Sequence, residues 1–179
     1  MITSNPLTTK RSAIATLTMS AAGFAFWLAS EGFSAKPYIP TKGDVPTIGH
    51  GSTHYENGAR VKLSDPAITR SRAAQLARNL ANKDEQQFRQ SLPDVKLHQE
   101  EYDLYLDFVG QYGASNWNKS SMRKRLLAGE YQQACDALLA WRFQDGRDCK
   151  NPKNWGVNGC KGVWTRQQIR YQKCIAAQE

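Results

Sequence analysis

At 179 residues the chain has room for one domain and a satellite lobe, not for two full domains, and 40% hydrophobic with 10% aromatic residues excludes a disordered polymer. Lys and Arg number 24 against 16 Asp and Glu, a formal net charge of +8 that favours an anionic partner such as nucleic acid or the acidic polymers of a bacterial envelope. The basic residues are scattered apart from short clusters such as Arg123, Lys124 and Arg125, so no recognition helix or basic arm stands out and sequence-specific nucleic-acid binding is not expected.

Lys10 and Arg11 open the first predicted element and precede an uncharged stretch from Ser12 to Ser30. Its length suits a helix that crosses a bilayer, and the flanking positive charges suit a cytoplasmic N-terminus. Ile14, Leu17, Phe24, Phe26, Trp27 and Leu28 are diluted by Ala, Gly, Ser and Thr, so the stretch is weakly hydrophobic, and no small-x-small cleavage site follows it. The plainer alternative is an ordinary first helix, Ser20 to Ser30, with its apolar side on the core. Helical periodicity itself runs from about Ile14 to Ser30 and breaks at Gly32.

From Phe33 to Asn57 the composition turns to Gly, Pro and Thr, and two short extended segments around a Gly-containing turn predict a β-hairpin, with a third strand near Arg60 to Leu63. Helical pattern resumes at Thr69, where Ala73, Leu76, Ala77 and Leu80 form an apolar stripe extended by Phe88; a second helical segment covers Leu97 to Tyr112. Shorter helices are predicted at Ser120 to Ala128, Tyr131 to Phe143 and Thr165 to Ala177, with a loop from Gln144 to Gly162 between the last two. Loops of that length need a function or a staple. The layout is α+β: a small β-lobe of about residues 33–64 after one helix, then a helical lobe of about residues 65–179, with residues 1–30 as the N-terminal segment.

Cys135, Cys149, Cys160 and Cys174 all lie in the last quarter of the chain without CxxC spacing, which reads as two disulfides rather than a zinc site. Three pairings are open, with four reduced thiols as the alternative. The nested one, Cys149 with Cys160 inside Cys135 with Cys174, is preferred because it staples the helix near residue 135 to the C-terminal helix and closes the loop between them. Disulfides need an oxidising compartment, which again raises export. No metal or organic cofactor motif is present, and the chain is expected to work as a monomer.

Glu31 ends the apolar first helix, where neighbouring Phe and Trp side chains would shield a proton-donating carboxyl; a solvated Glu at a helix end is the commoner alternative. Cleaving a glycosidic bond needs such an acid and a second group across the sugar that stabilises the cation or activates water.

The residues around and beyond Glu31 carry a resemblance. Glu31-Gly32-Phe33, Lys36-Pro37-Tyr38, Gly43 and Thr47-Ile48-Gly49-His50-Gly51 resemble the active-site signature of the phage-type lysozymes, glycoside hydrolase family 24. The likeness continues through Tyr102-Asp103-Leu104, Phe108, Gly110-Gln111-Tyr112-Gly113, Trp117, Ser121-Met122, Leu126, Gly129-Glu130-Tyr131, Trp141 and Gly162-Val163-Trp164-Thr165-Arg166, in order over about residues 20–175. It implies a lysozyme-like fold with a cleft between the lobes, and hydrolysis of the β-1,4 bond between N-acetylmuramic acid and N-acetylglucosamine in peptidoglycan glycan strands, leading to host lysis. Glu31 is then the acid and Thr47 a water-positioning hydroxyl or side-chain anchor. Gln111 is a sugar contact, with Tyr112 and Asn116 as weaker candidates, and His50 takes either a cleft role or a structural hydrogen bond. Trp117, Trp141 and Trp164 are expected as core anchors.

One departure falls in the signature: the position at which the family carries its Asp or Cys is Pro40 here, and one extra residue separates Glu31 from Thr47. Asp44, just after Gly43, is the nearest carboxylate and the candidate for the second role, with a self-capping turn residue as its alternative. That displacement leaves a non-catalytic peptidoglycan-binding module as a rival, and the alternative within enzymes is a lytic transglycosylase, in which the sugar's own 6-hydroxyl replaces water. The stretch from Ser12 to Ser30 also resembles the signal-anchor-release segment of some endolysins of the family. This implies export through the host Sec translocon, a transient tether in the inner membrane and a periplasmic site of action, the alternative being residence in the host cytoplasm until a holin releases the protein.

Overall fold

The computed structural model describes residues 10–41 and 43–179; residues 1–9, part of the expected N-terminal segment, and Lys42 lie outside the described residues. In chain order the first elements are β1 (Ser12–Ala13), a 3-10 turn (Ile14–Thr16), α1 (Ala21–Glu31), β2 (Ser34–Tyr38), β3 (Thr47–Gly49) and α2 (Arg70–Ser91). There follow β4 (Lys96–Leu97), α3 (Gln99–Lys119), α4 (Ser121–Leu127), α5 (Tyr131–Ala137), a 3-10 turn (Leu138–Ala140), β5 (Phe143–Gln144), β6 (Arg147–Asp148), a 3-10 turn (Pro152–Asn154) and α6 (Lys161–Ala176). Met19–Gln87 form one compact unit; the described residues up to Thr18 and Phe88–Glu179 form the other, the division falling within α2.

The periodic stretch from Ile14 to Ser30 is not a single helix. Ser20 starts α1 by accepting a 3.0 Å hydrogen bond from the Gly23 amide, which satisfies one donor of the first turn. Upstream, β1 pairs antiparallel with β4, and the Ile14 amide donates to the Val95 carbonyl at 3.0 Å. These partners lie too far along the chain to show in a local pattern. Ile14 and Leu17 are buried. No helix among the described residues is long and apolar enough to cross a membrane.

In the Met19–Gln87 unit, β2 and β3 form the expected antiparallel hairpin, with Ser34 opposite Gly49 and Tyr38 opposite Thr47. The stretch between those pairs is longer on β2 than on β3, so β2 bulges. The third strand expected near Arg60 to Leu63 is reduced to a bridge between His54 and Arg60 and one bond from the Val61 amide to the Thr53 carbonyl at 2.9 Å. Extension stops there because Asp65 turns the chain, its carboxylate accepting from the Lys62 amide at 2.8 Å. Ile48, Val61 and Leu76 form the core of this region, with Tyr55 and Ile68 against it. Leu80, expected in the buried stripe of α2, is exposed, and the stripe continues from Ala77 to Ala81, Glu85 and Phe88 as the helical period drifts.

Backbone approach at one point fixes the height of β3 on α2. Gly49 has φ of +66°, and a Cβ there would stand 2.9 Å from the Ala73 Cβ. Only glycine meets both demands.

The second unit is built on α3. Phe88, Tyr102, Tyr105, Phe108 and Trp117 are buried together, with ring centroids 5.3 Å apart for Phe88–Tyr102 and 5.2 Å for Phe88–Trp117. Trp117 is a core anchor as expected, its indole N–H donating to Ser91 Oγ at 2.7 Å, whereas Trp141 and Trp164 are only half-buried. The helix predicted to end at Tyr112 breaks there, at Gly113 (φ 82°), and then resumes to Lys119. The helix predicted from Tyr131 to Phe143 stops at Ala137, tightens into a 3-10 turn and delivers Phe143 to a strand. Its end is set from outside, because the Trp141 carbonyl accepts from Tyr112 Oη at 3.0 Å and from Gln167 Nε2 at 3.1 Å.

Both disulfides form in the nested pairing, Cys135–Cys174 over a separation of 39 residues and Cys149–Cys160 over 11. Loop-closure entropy assigns them about 4 and about 3 kcal/mol. The inner one helps define the start of α6, which begins directly after Cys160 rather than at Thr165. The loop it closes is organised as β5–β6 and the Pro152–Asn154 turn.

Candidate active site

Glu31 is the last residue of α1, and Gly32 (φ 72°) leaves the helix in the left-handed region that lets the chain turn into β2. One turn before Glu31 the Trp27 side chain is 2% exposed, while Glu31 itself is half-buried. The carboxylate lies over the tight loop that follows β3: a Cβ built on Gly51 would stand 3.9 Å from Glu31 Oε2. That loop is closed by reciprocal bonds between Ile48 and Ser52, 2.9 and 3.0 Å, with Gly49, His50 and Gly51 at its apex. Glu31 and the Thr-Ile-Gly-His-Gly run, sixteen to twenty residues apart in sequence, are therefore neighbours.

His50 is 8% exposed. Its Nδ1 bonds the Gly32 carbonyl, and its ring meets Phe33 at 5.6 Å between centroids. Arg70, from the first turn of α2, sets its guanidinium 4.3 Å from the centroid of Phe33. Thr47 is buried and donates through Oγ1 to the Val45 carbonyl at 3.1 Å, which leaves the hydroxyl oxygen free to accept. Asp44 sits in the hairpin turn after Gly43 (φ 96°), with its amide bonded to the Thr41 carbonyl at 2.9 Å and its side chain exposed to solvent.

The remaining expected site residues belong to the other unit. Gln111 is half-buried, and its Oε1 is a buried acceptor without a hydrogen-bond partner among the described residues. Tyr112 is engaged internally: its hydroxyl serves Trp141 and Gln167, and its ring packs on Phe108 at 4.7 Å and Trp141 at 5.1 Å. Asn116 is exposed and donates to the Tyr112 carbonyl at 2.8 Å, four residues back and across the break at Gly113.

Three features were not foreseen. The Arg70–Phe33–His50 stack carries no sequence signal beyond the presence of an aromatic residue after Glu31-Gly32. The Asp107 carboxylate, 1% exposed, holds both Arg166 (2.7 Å) and Arg170 (2.5 Å), and only the four-residue spacing of the two arginines on α6 hinted at a shared partner. Burial holds the Arg170 guanidinium below its ordinary range, and Asp107 opposes that shift. Arg11, expected as a membrane-flanking charge, makes 3.0 Å bonds to both carboxylate oxygens of the fully buried Glu101 and stacks 3.7 Å over Tyr131. No cluster of three or more His, Cys, Asp or Glu able to hold a metal occurs among the described residues.

A family model described as phage lysozyme matches residues 29–154. The SAR-endolysin of Enterobacteria phage PA-2 is 29% identical over 155 residues, covering 84% of this chain and 82% of that protein. The endolysin of Salmonella phage P22 is 32% identical over 118 residues, covering 66% of this chain and 78% of that protein. Among solved structures, an endolysin from Escherichia coli O157:H7 phage FAHEc1 superposes with a TM-score of 0.74 at 20% identity, covering 93% of this chain and 96% of its own. A mutant of P22 lysozyme does so at 0.72 and 24% identity, covering 89% and 99%. The α+β, lysozyme-like fold expected from the sequence is the fold found.

Proposed function

The chain belongs to the phage lysozyme family, and from that premise we propose how its own residues carry the reaction. It is a lysozyme-type hydrolase of peptidoglycan, an endolysin like its phage relatives. The bond cut is the β-1,4 link between N-acetylmuramic acid and N-acetylglucosamine. Glu31 gives its proton to the leaving glycosidic oxygen as the C–O bond breaks. Asp44 stabilises the developing cation or takes the proton of the attacking water, whose hydroxyl joins the sugar, and Thr47 offers its hydroxyl oxygen to that water. The observation that carries this reading is the placement of Glu31 Oε2 beside Gly51 of the Thr-Ile-Gly-His-Gly loop. Gln111, whose Oε1 is a buried acceptor without a partner among the described residues, is the first candidate for sugar contact, with Tyr112 and Asn116 as the weaker ones.

The exposure of Asp44 in a turn, with Pro40 where the family carries its carboxylate, is the feature that favours a non-catalytic module; a transglycosylase would instead use the sugar's own 6-hydroxyl in place of water. Asp44→Asn is expected to lower the rate on purified peptidoglycan by about a hundredfold. Mass spectrometry of the wild-type digest is expected to show reducing muramic acid ends. Products ending in 1,6-anhydromuramic acid, with a rate indifferent to Asp44→Asn, would replace hydrolysis by transglycosylation.

Three relatives are named SAR-endolysins, which supports export of this chain by Sec and a temporary tether through the uncharged stretch from Ser12 to Ser30. In the folded protein that stretch supplies β1 and α1, and Glu31 ends it, so insertion in a bilayer would draw the acid away from its loop. Release is then the activating step. Inhibiting Sec in expressing cells should abolish holin-independent lysis; a protein that stays soluble and lyses only when a holin is supplied contradicts the export route.

A further inference from the structure

Glu31 closes α1, so no following helical turn restrains it, and the carbonyls at a helix C-terminus need partners from outside the helix. The carbonyl of Gly32, the very next residue, takes its partner from His50 Nδ1. His50 is well placed to hold something still: its loop is closed by the Ile48–Ser52 bonds, and Gly49 is pressed against Ala73 of α2. Its ring is braced by Phe33, which in turn lies under Arg70. At 8% exposure His50 has little surface to offer a sugar. The continuous chain of contacts runs from α2 through Phe33 and His50 to Gly32 and Glu31, all within one compact unit.

We propose that His50 is a positioning residue of the reaction: its Nδ1–H bond to the Gly32 carbonyl fixes the end of α1, so that the Glu31 carboxyl keeps its place beside Gly51. The proposal rests on Glu31 being the acid. It assigns the work to Nδ1 and not to the imidazole as such, and geometry makes that distinction testable. An Asn side chain carries its amide nitrogen at the same distance along the side chain as Nδ1, whereas Gln places it one bond further out and Leu has none.

Kinetics on soluble, uncross-linked glycan strands should be measured for wild type, Glu31→Gln, and His50→Asn, →Gln and →Leu, with melting temperatures to confirm folding. A displaced acid costs rate rather than affinity, so His50→Leu and His50→Gln should lose about ten- to a hundredfold in kcat at near-constant KM, and His50→Asn should restore kcat close to wild type. If His50→Leu does not fold, the Asn and Gln pair decides the matter. Wild-type kcat in both His50→Leu and His50→Gln, beside an inactive Glu31→Gln, overturns the positioning role and leaves the acid in place. An equal loss in all three His50 variants with a raised KM overturns it in favour of substrate contact. A fully active Glu31→Gln removes the acid reading and the proposal with it.

Discussion

Asp107→Ala is expected to destabilise the protein by about 3–5 kcal/mol, the typical result of removing one partner from a buried ion pair. The reason lies in what remains. Arg170 is 0% exposed, and its guanidinium is held by Asp107 through Nε at 2.7 Å, with a further bond from Nη2 to the Asp107 carbonyl at 3.0 Å. Nη1 is buried without a partner among the described residues. Losing the carboxylate leaves a full positive charge against the Phe108 ring, 5.7 Å away, and a second one on Arg166. Domains of this size are stable by only about 5–15 kcal/mol, so the loss is a large fraction of the total. Pairing Asp107→Ala with Arg170→Met should recover part of it, since the fully buried charge of Arg170 is removed while Arg166 keeps its own. Urea unfolding of the oxidised protein measures both; a single variant within about 0.5 kcal/mol of wild type means that water reaches Arg170 and the cluster is not a dry one.

That cluster also shows where sequence reading stops. Elements set by their own punctuation were legible: the hairpin between Phe33 and Asn57, the start of α2 after Thr69, whose Oγ1 accepts from the Arg72 amide at 3.1 Å, and the break after Tyr112. The nested disulfides were legible because the spacing of four cysteines around one loop left a pairing that staples two helices. Elements set by distant partners were not. The β1–β4 pairing joins Ser12 to Leu97, whereas helical periodicity from Ile14 ran through residues that form a 3-10 turn; the shorter alternative, Ser20 to Ser30, is the one that matches α1. α5 ends early because side chains of α3 and α6 capture the Trp141 carbonyl, and neither helix is near it in sequence.

At the site the division is the same. The helix-end position of Glu31 is a local property, but Glu31 and the Thr-Ile-Gly-His-Gly run could be singled out together only through the family resemblance. The bond that ties His50 to Gly32 spans 18 residues and depends on how the hairpin folds back. Asp44 could be placed in a turn from Gly43 alone, and its part in the chemistry rests on the family likeness and on the experiment proposed for it.

Glu31→Gln is the substitution with the largest expected effect on activity. The amide matches the carboxyl in size and can keep hydrogen bonds, so the fold should survive, but it has no proton to give the leaving oxygen. General acids contribute about a hundred- to ten-thousandfold, and the rate should fall by about a thousandfold. Asp84 is the control that separates chemistry from charge. Its carboxyl is pushed up to about 6 by burial, a property common among catalytic acids, but it lies in the body of α2 outside the residue runs that carry the family resemblance. Asp84→Asn should therefore lyse as wild type does. The direct test is the initial rate of turbidity loss of chloroform-treated Gram-negative cells with wild type, Glu31→Gln and Asp84→Asn. Glu31→Gln should give no lysis above buffer and the other two full lysis; lysis by Glu31→Gln at the wild-type rate would remove Glu31 as the acid.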